Sequence, residues 1–350
     1  MSDGALAQLL QFVGQFAVPT MAVLDENAAP LPPNPFLEVL ALGNRSDICN
    51  SARLQGWPCS FSDFEFDAVQ LAGRQQAVYR ISKEKRVVEH VLQALWQLLP
   101  VGGVLCIAGY KQEGVKTFAA RAQQAWLCET TLLRGRQQLH LYRFVKTGSA
   151  ATPLNADDYH ALRPIGSWQH RTVYSKPGIF AWDRFDAGSL FLLEQLPQYL
   201  PGLLQTSSHD RVALDLGCGY GLLGLALLEA GCSRVVATDN NAAALLACAR
   251  NLEQHAAAQT VSVVAGDCGD TMSERFDVVL CNPPFHQGFG VEQDLTDRFL
   301  QGTRRLLKPG GRALFVVNAF IPLERKAAPL FAEVQTMADN RRYRVVLLGG

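Results

Sequence analysis

Between residues 212 and 317, short apolar runs alternate with helical stretches, and this alternation restricts the fold more than any other feature of the sequence. Val212–Leu216, Arg234–Thr238, Val261–Val264, Phe276–Cys281 and Ala313–Val317 read as strands. Leu222–Ala230, Ala242–His255 and Leu295–Leu307 read as helices. Strands that alternate with helices build a parallel sheet covered by helices on its faces. The end of the chain breaks the rhythm, because Ala332–Thr336 and Tyr343–Leu348 read as a hairpin across Asp339-Asn340. Upstream the pattern is weaker. Phe36–Leu42 and Val104–Ala108 read as strands, Gln70–Leu71 closes a strand-like stretch, and Lys83–Leu99 reads as a helix with Val87, Val91 and Leu95 on one face. Pro30, Pro32, Pro33 and Pro35 mark a loop, because proline removes a backbone donor and fixes φ.

An internal echo accompanies the alternation. Phe66-Asp67-Ala68-Val69 precedes a long helix and then Leu99-Pro100-Val101-Gly102-Gly103, while Phe276-Asp277-Val278-Val279 precedes a helix and then Leu307-Lys308-Pro309-Gly310-Gly311. The spacing is 35 residues from Asp67 to Gly102 and 33 from Asp277 to Gly310. A duplicated domain accounts for this, the first copy having lost its chemistry. The expected division is a degenerate domain over 1–147, a linker over 148–165 and a catalytic domain over 166–350, consistent with a chain of 350 residues.

The chain carries 32 basic and 32 acidic side chains, of which 14 and 12 fall within residues 1–150. Neither half is broadly basic, so contact with a nucleic acid requires a local patch. The nine cysteines form no C-x-x-C pair, and several sit in apolar runs. They read as small buried hydrophobes in a reducing compartment, with no metal site. With no run of membrane-spanning length and no basic leader, the expectation is a soluble, cytoplasmic protein that makes no membrane contact.

Val212 to Gly221 reads as a buried strand that enters a glycine-rich turn ahead of a helix. Gly217, Gly219 and Gly221 allow close backbone approach by a ligand, and open sheets of this kind bind ligands at the carboxyl ends of their strands. Asp215 precedes the glycines, where a carboxylate repels a pyrophosphate but suits an ammonium group. Asp239 ends the next strand, placed to accept ribose hydroxyls, and Asp267 follows the third, placed to accept an adenine amine. Carboxylates after three successive strands point to S-adenosylmethionine, with Cys218, Asn240 and Cys268 as neighbouring contacts. The plainer role for Asp239 and Asp267 is to cap the helices that follow.

Asn282-Pro283-Pro284-Phe285 follows the fourth strand. An exocyclic or amide nitrogen is a weak nucleophile because its lone pair is delocalised. The Asn282 side-chain oxygen and the Pro283 carbonyl can each accept one of its hydrogens, and two prolines hold these acceptors in place. Phe285 offers a face for a planar base, and His286 is a candidate substrate contact. Standing alone, the proline pair is equally a rigid loop without chemistry. Asp186, ahead of the helix at 190–196, is a candidate to close over the cofactor. The pairs Arg304-Arg305 and Arg341-Arg342 suit a solvated face or substrate phosphates.

These motifs resemble class I amino-methyltransferases. Pro177-Gly178-Ile179-Phe180, Asp186-Ala187-Gly188-Ser189, Asn282–His286 and Val317-Asn318-Ala319-Phe320 are more closely similar to the ribosomal RNA small-subunit methyltransferase C type. The resemblance is good over roughly 160–350 and loose before it. It implies two tandem Rossmann-like α/β domains, the C-terminal one a seven-stranded mixed sheet with an antiparallel hairpin, and a first domain unable to bind cofactor. It further implies that Gly217, Gly219, Asp239, Asp267 and Asn282 bind the cofactor or orient the amine, and that the enzyme, a monomer, methylates guanine N2 in 16S ribosomal RNA or in the small subunit. Trp182 stands where this family suggests a polar residue, so no role carries over to it. A 23S ribosomal RNA guanine or a protein glutamine amide is the alternative acceptor. For the N-terminal half alone, an RNA-binding or chaperone module is the non-enzymatic reading.

Overall fold

The computed structural model describes residues 3–13, 18–34, 38–67, 73–136, 138–148, 152–203, 211–255, 260–284 and 289–349. The chain divides into two compact units, Met1–Ala161 and Leu162–Gly350. Residues 152–161, inside the stretch expected to be a linker, pack on the first unit, where Leu154 and Tyr159 are buried in its core.

The first unit carries strands β1 (Thr20–Leu24), β2 (Val39–Gly43), β3 (Cys59–Phe61), β4 (Gln76–Arg80), β5 (Val104–Tyr110), β6 (Glu129–Arg136) and β7 (Leu139–Val145). They form one sheet in the order β3-β2-β1-β4-β5-β7-β6. The second unit opens with the hairpin β8 (Arg163–Trp168) and β9 (Arg171–Ser175), whose first strand begins inside the stretch expected to be a linker. Its sheet contains β10 (Val212–Leu216), β11 (Arg234–Asp239), β12 (Thr260–Ala265), β13 (Phe276–Cys281), β14 (Leu307–Asn318), β15 (Glu333–Asp339) and β16 (Tyr343–Gly349). The order is β12-β11-β10-β13-β14-β16-β15, the same permutation as in the first unit. Only the last two strands of each sheet run antiparallel to their neighbours. Both units are therefore seven-stranded mixed α/β sheets, each with its own core on the two faces.

The registers align the copies residue by residue. Val23 pairs with Leu42 and Tyr79, as Leu216 pairs with Thr238 and Cys281. Following the ladders outward, Ile107 faces Tyr142 and Leu132 in turn, as Phe315 faces Val346 and Thr336. Each edge strand then has a bulge at the next step, between Leu132 and Arg134 in one copy and between Thr336 and Ala338 in the other. A slip would separate the two bulges, so the equivalence is fixed. It corrects half of the sequence echo. Gly102-Gly103 does match Gly310-Gly311, but Phe66-Asp67 lies ahead of β4, and Ala68 and Val69 lie outside the described residues.

The first copy also lacks a helix between β1 and β2 among its described residues, where the second has Leu222–Glu229. The proline-rich loop explains the loss, since consecutive residues there cannot supply helical donors.

Candidate active site

The carboxyl ends of β10, β11, β12 and β13 bring the expected residues to one end of the second sheet. Strand β10 is apolar because helices cover it on both faces, and Asp215 is its buried exception. One oxygen of Asp215 accepts the Gly224 N–H at 2.7 Å, and the other has no partner among the described residues. Burial pushes this carboxyl up to about 7. A buried acceptor with no donor costs free energy, and a ligand ammonium would relieve it.

Gly217, Gly219 and Gly221 all take positive φ. The turn is held from below, where the N–H groups of Gly217 and Cys218 both donate to the Thr238 carbonyl at 2.9 and 3.0 Å. Gly219 presents an open face, since a Cβ there would meet nothing within 4 Å. Asp239 accepts the Gly219 N–H at 3.0 Å with one oxygen and the Asn241 N–H at 2.9 Å with the other. It thus braces the loop and starts the following helix. The buried carboxylate of Asp267 pairs with Arg298 and accepts the Cys268 thiol at 3.4 Å. Cys218 and Cys268 are buried beside the loop, and Asn240 is half-buried after Asp239.

Asn282 follows β13. Its side-chain nitrogen donates to Asp186 Oδ2 at 2.7 Å and to Ser189 Oγ at 2.9 Å. Both amide hydrogens are used, which leaves the side-chain oxygen as the acceptor. Asp186 is itself fixed, for Oδ2 also accepts the Ser189 N–H at 2.7 Å and its own N–H donates to Tyr220 Oη at 3.0 Å. Pro283 is buried and Pro284 exposed. Phe285 and His286 lie outside the described residues. The Arg305 guanidinium is taken up by the Gly269 and Met272 carbonyls, which favours a structural role for that arginine.

Four positioning residues escaped the sequence reading: Ser189, Tyr220, Asn241 and Asn251. Asn241 donates to the Gly178 carbonyl at 2.6 Å, and Asn251 donates to the Tyr220 and Tyr174 carbonyls at 2.7 and 2.8 Å. Asn251 left a readable signal, being a polar residue on the buried face of the helix Ala242–His255. Ser189 stands in the segment Asp186–Ser189 and Asn241 directly precedes that helix, but the contacts that make them and Tyr220 positioning residues, to Asn282, Gly178 and Asp186 respectively, span 93, 63 and 34 positions.

The first copy shows what the site loses. By register, Ala22 stands for Asp215, Leu24 for Gly217, Gly43 for Asp239 and Arg80 for Asn282. No larger residue fits at Gly43, where a Cβ would lie 2.8 Å from Cys49 Sγ and 2.9 Å from the Leu24 carbonyl oxygen. Arg80 is fully buried in ion pairs with Glu113 and Asp3. Of the three strand-end carboxylates only Asp63, the counterpart of Asp267, is kept, and it accepts the hydroxyl of Tyr159 at 2.7 Å, while Asn44 stands for Asn240. The Tyr159 ring stacks on His90 at 4.3 Å between centroids.

Among the described residues no cluster of His, Cys, Asp and Glu could hold a metal ion, and no helix is long and apolar enough to cross a membrane.

The methyltransferase small domain matches residues 170–347. The chain is 33% identical over 306 residues to the ribosomal RNA small subunit methyltransferase C of Chromohalobacter salexigens, covering 85% of this chain and 84% of that protein. To the protein of the same name from Erwinia tasmaniensis it is 31% identical over 280 residues, covering 79% and 76%. Its fold is that of the T. thermophilus 16S rRNA N2 methyltransferase solved with AdoMet and guanosine, at a TM-score of 0.85, 24% identity and coverage of 99% and 92%. The duplicated sheet agrees with these relatives, which place the chain in the ribosomal RNA small subunit methyltransferase C family.

Proposed function

We propose that the second unit methylates the exocyclic N2 amine of a guanine in 16S ribosomal RNA, using S-adenosylmethionine. The observation that carries this reading is the Asn282 amide, whose two hydrogens are taken by Asp186 and Ser189. When bound, S-adenosylmethionine supplies an electrophilic methyl group. Asp215 would receive its ammonium, Asp239 its ribose hydroxyls and Asp267 its adenine amine. The orphan oxygen of Asp215 and the open face of Gly219 fit such a ligand.

The residues around the acceptor then do three things. The Asn282 side-chain oxygen accepts one hydrogen of the amine, and the Pro283 carbonyl accepts the other. Both bonds favour a pyramidal nitrogen with its lone pair directed at the methyl group. Asp186 and Ser189 prevent the Asn282 amide from turning over, which would present a donor where an acceptor is needed. No side chain has to act as a base, since water can take the proton after transfer. Phe285 and His286 are the proposed contacts to the base. The enzyme acts in the cytoplasm as a monomer, without a metal, and the N-terminal copy supports the catalytic unit or holds RNA.

Asn282→Ala is the direct test. It should lower methyl transfer to 16S RNA on the order of a hundredfold or more, because the nucleophile loses its orientation. S-adenosylmethionine affinity should change less than about threefold, within ordinary context effects. Near-normal turnover would refute the role given to the loop. Mass mapping of the product should find N2-methylguanosine in 16S RNA; label in 23S RNA or in protein glutamine would instead support the other acceptors.

A further inference from the structure

One corner of the second unit remains unused by this chemistry. Strand β14 ends at Asn318, opposite Tyr343 at the start of β16, and the Ala319 N–H donates to the Arg342 carbonyl at 2.9 Å. Phe320 and the turn Arg341-Arg342 therefore lie side by side. Phe320 is 62% exposed, the most exposed large apolar side chain among the described residues of this unit. Arg341 and Arg342 are both exposed. Among the described residues no carboxylate lies within ion-pair distance of either guanidinium, whereas neighbouring Arg344 is bound to Glu324 and Asp339. The Asp339 and Asn340 side chains accept the Arg341 and Arg342 N–H groups at 2.7 and 3.0 Å, which fixes the turn that presents them.

This corner is next to the site. A Cβ on Gly188 would lie 3.2 Å from the Tyr343 ring and 3.1 Å from Asp186 Oδ2, so Tyr343 abuts the turn that holds Asn282. The Arg342 guanidinium lies over that ring at 5.2 Å. An exposed aromatic beside two guanidinium groups that form no salt bridge among the described residues is the composition that holds a single strand, a base stacking on the ring and phosphates meeting the cations. The chain has a formal net charge of +0, so its grip on a polyanion has to be local.

We propose that Phe320, Arg341 and Arg342 form a strand-binding rim, in which Phe320 stacks a base adjoining the target nucleotide and the two arginines hold backbone phosphates. The inference deepens the reading of the site as one that acts on RNA and rests on it. It assigns these residues to RNA affinity and leaves cofactor binding to the strand ends.

The test measures binding of a labelled single-stranded RNA oligonucleotide across a salt series, alongside methyl-transfer kinetics. Arg341→Ala/Arg342→Ala should make the slope of log affinity against log salt shallower by about 1.4, since each phosphate contact on a single strand contributes roughly 0.7. Phe320→Ala should weaken binding and raise KM for RNA roughly tenfold, and Phe320→Trp should restore both, because stacking tolerates any aromatic face. S-adenosylmethionine affinity should be unchanged in all three variants. Parental slope and KM in the alanine variants would overturn the rim, as would normal binding of naked RNA combined with lost binding of the assembled subunit, which would assign the corner to a ribosomal protein. Binding requires no methyl transfer, so a parent protein that shows the expected slope yet transfers no methyl would refute the proposed function alone.

Discussion

At the scale of single residues, Asp215 has the most consequential environment. Burial, opposed only by one N–H from Gly224, pushes its carboxyl up to about 7. A folded-state value above the unfolded one favours the protonated form. The stability it contributes is full below the ordinary carboxylate range and is lost as pH rises through about 7. The cofactor-free protein should therefore melt at a lower temperature at pH 8 than at pH 6. An ammonium beside the orphan oxygen favours the ionised form, so saturating S-adenosylmethionine should narrow that difference. Asp215→Asn removes the titration; an unchanged pH dependence in that variant would assign the effect to another group. The chemistry at this scale was partly legible beforehand. Carboxylates at strand ends declare themselves by residue type and position. The hydroxyl and the carboxylate that aim the Asn282 amide do not declare that role, because Ser189 and Asp186 reach it from more than 90 positions away.

Elements were legible to the extent that their cores are. β10 and β13 have the bounds read from the sequence, because both are apolar runs closed by turn residues, and the helix Ala242–His255 has them through its one buried face. The edge hairpin of the first unit was missed. β6 includes Arg134, Gly135 and Arg136 and leaves Leu132 and Leu133 half exposed, so neither alternation nor a continuous apolar run marks it. β4 was misplaced for a related reason, since its Gln76 and Arg80 are buried polar residues that interrupt the apolar pattern. The glycine turn offers a prediction of its own. Gly221 has φ of 84°, and a Cβ there would lie 2.8 Å from Cys248 Sγ and 3.2 Å from the Cys248 backbone. Gly221→Ala should destabilise the second unit by about 1–3 kcal/mol, combining backbone strain with overpacking. Denaturant unfolding would read the loss, and a variant as stable as the parent would show that the turn accommodates a methyl group.

For the whole molecule, the duplication was visible in outline but not in register. The twin glycines just before β5 and in the first part of β14 align, yet the match at the fourth strand needed the pairing ladders and the two bulges. The copies differ sharply at their strand ends, where Ala22, Leu24 and Gly43 stand for Asp215, Gly217 and Asp239. In the first, Tyr159 donates to the surviving strand-end carboxylate Asp63 and stacks on His90, so the chain has placed one of its own rings against the acid that corresponds to Asp267. A tethered ring cannot be diluted, titrated away or competed off at ordinary concentrations. By mass action a free ligand at about 100 times its dissociation constant adds roughly 2.7 kcal/mol to the unit that binds it and nothing to a unit that does not. S-adenosylmethionine should therefore raise the melting of the second unit with concentration and leave that of the first where it is, as hydrogen exchange resolved by segment would report. Equal protection of both units would mean that they unfold together or that the first still binds. If the second unit alone binds S-adenosylmethionine, the two halves obey different laws: the stability of one rises with the cell's supply of methyl donor, and the other holds a ring of its own covalent chain against the corresponding acid.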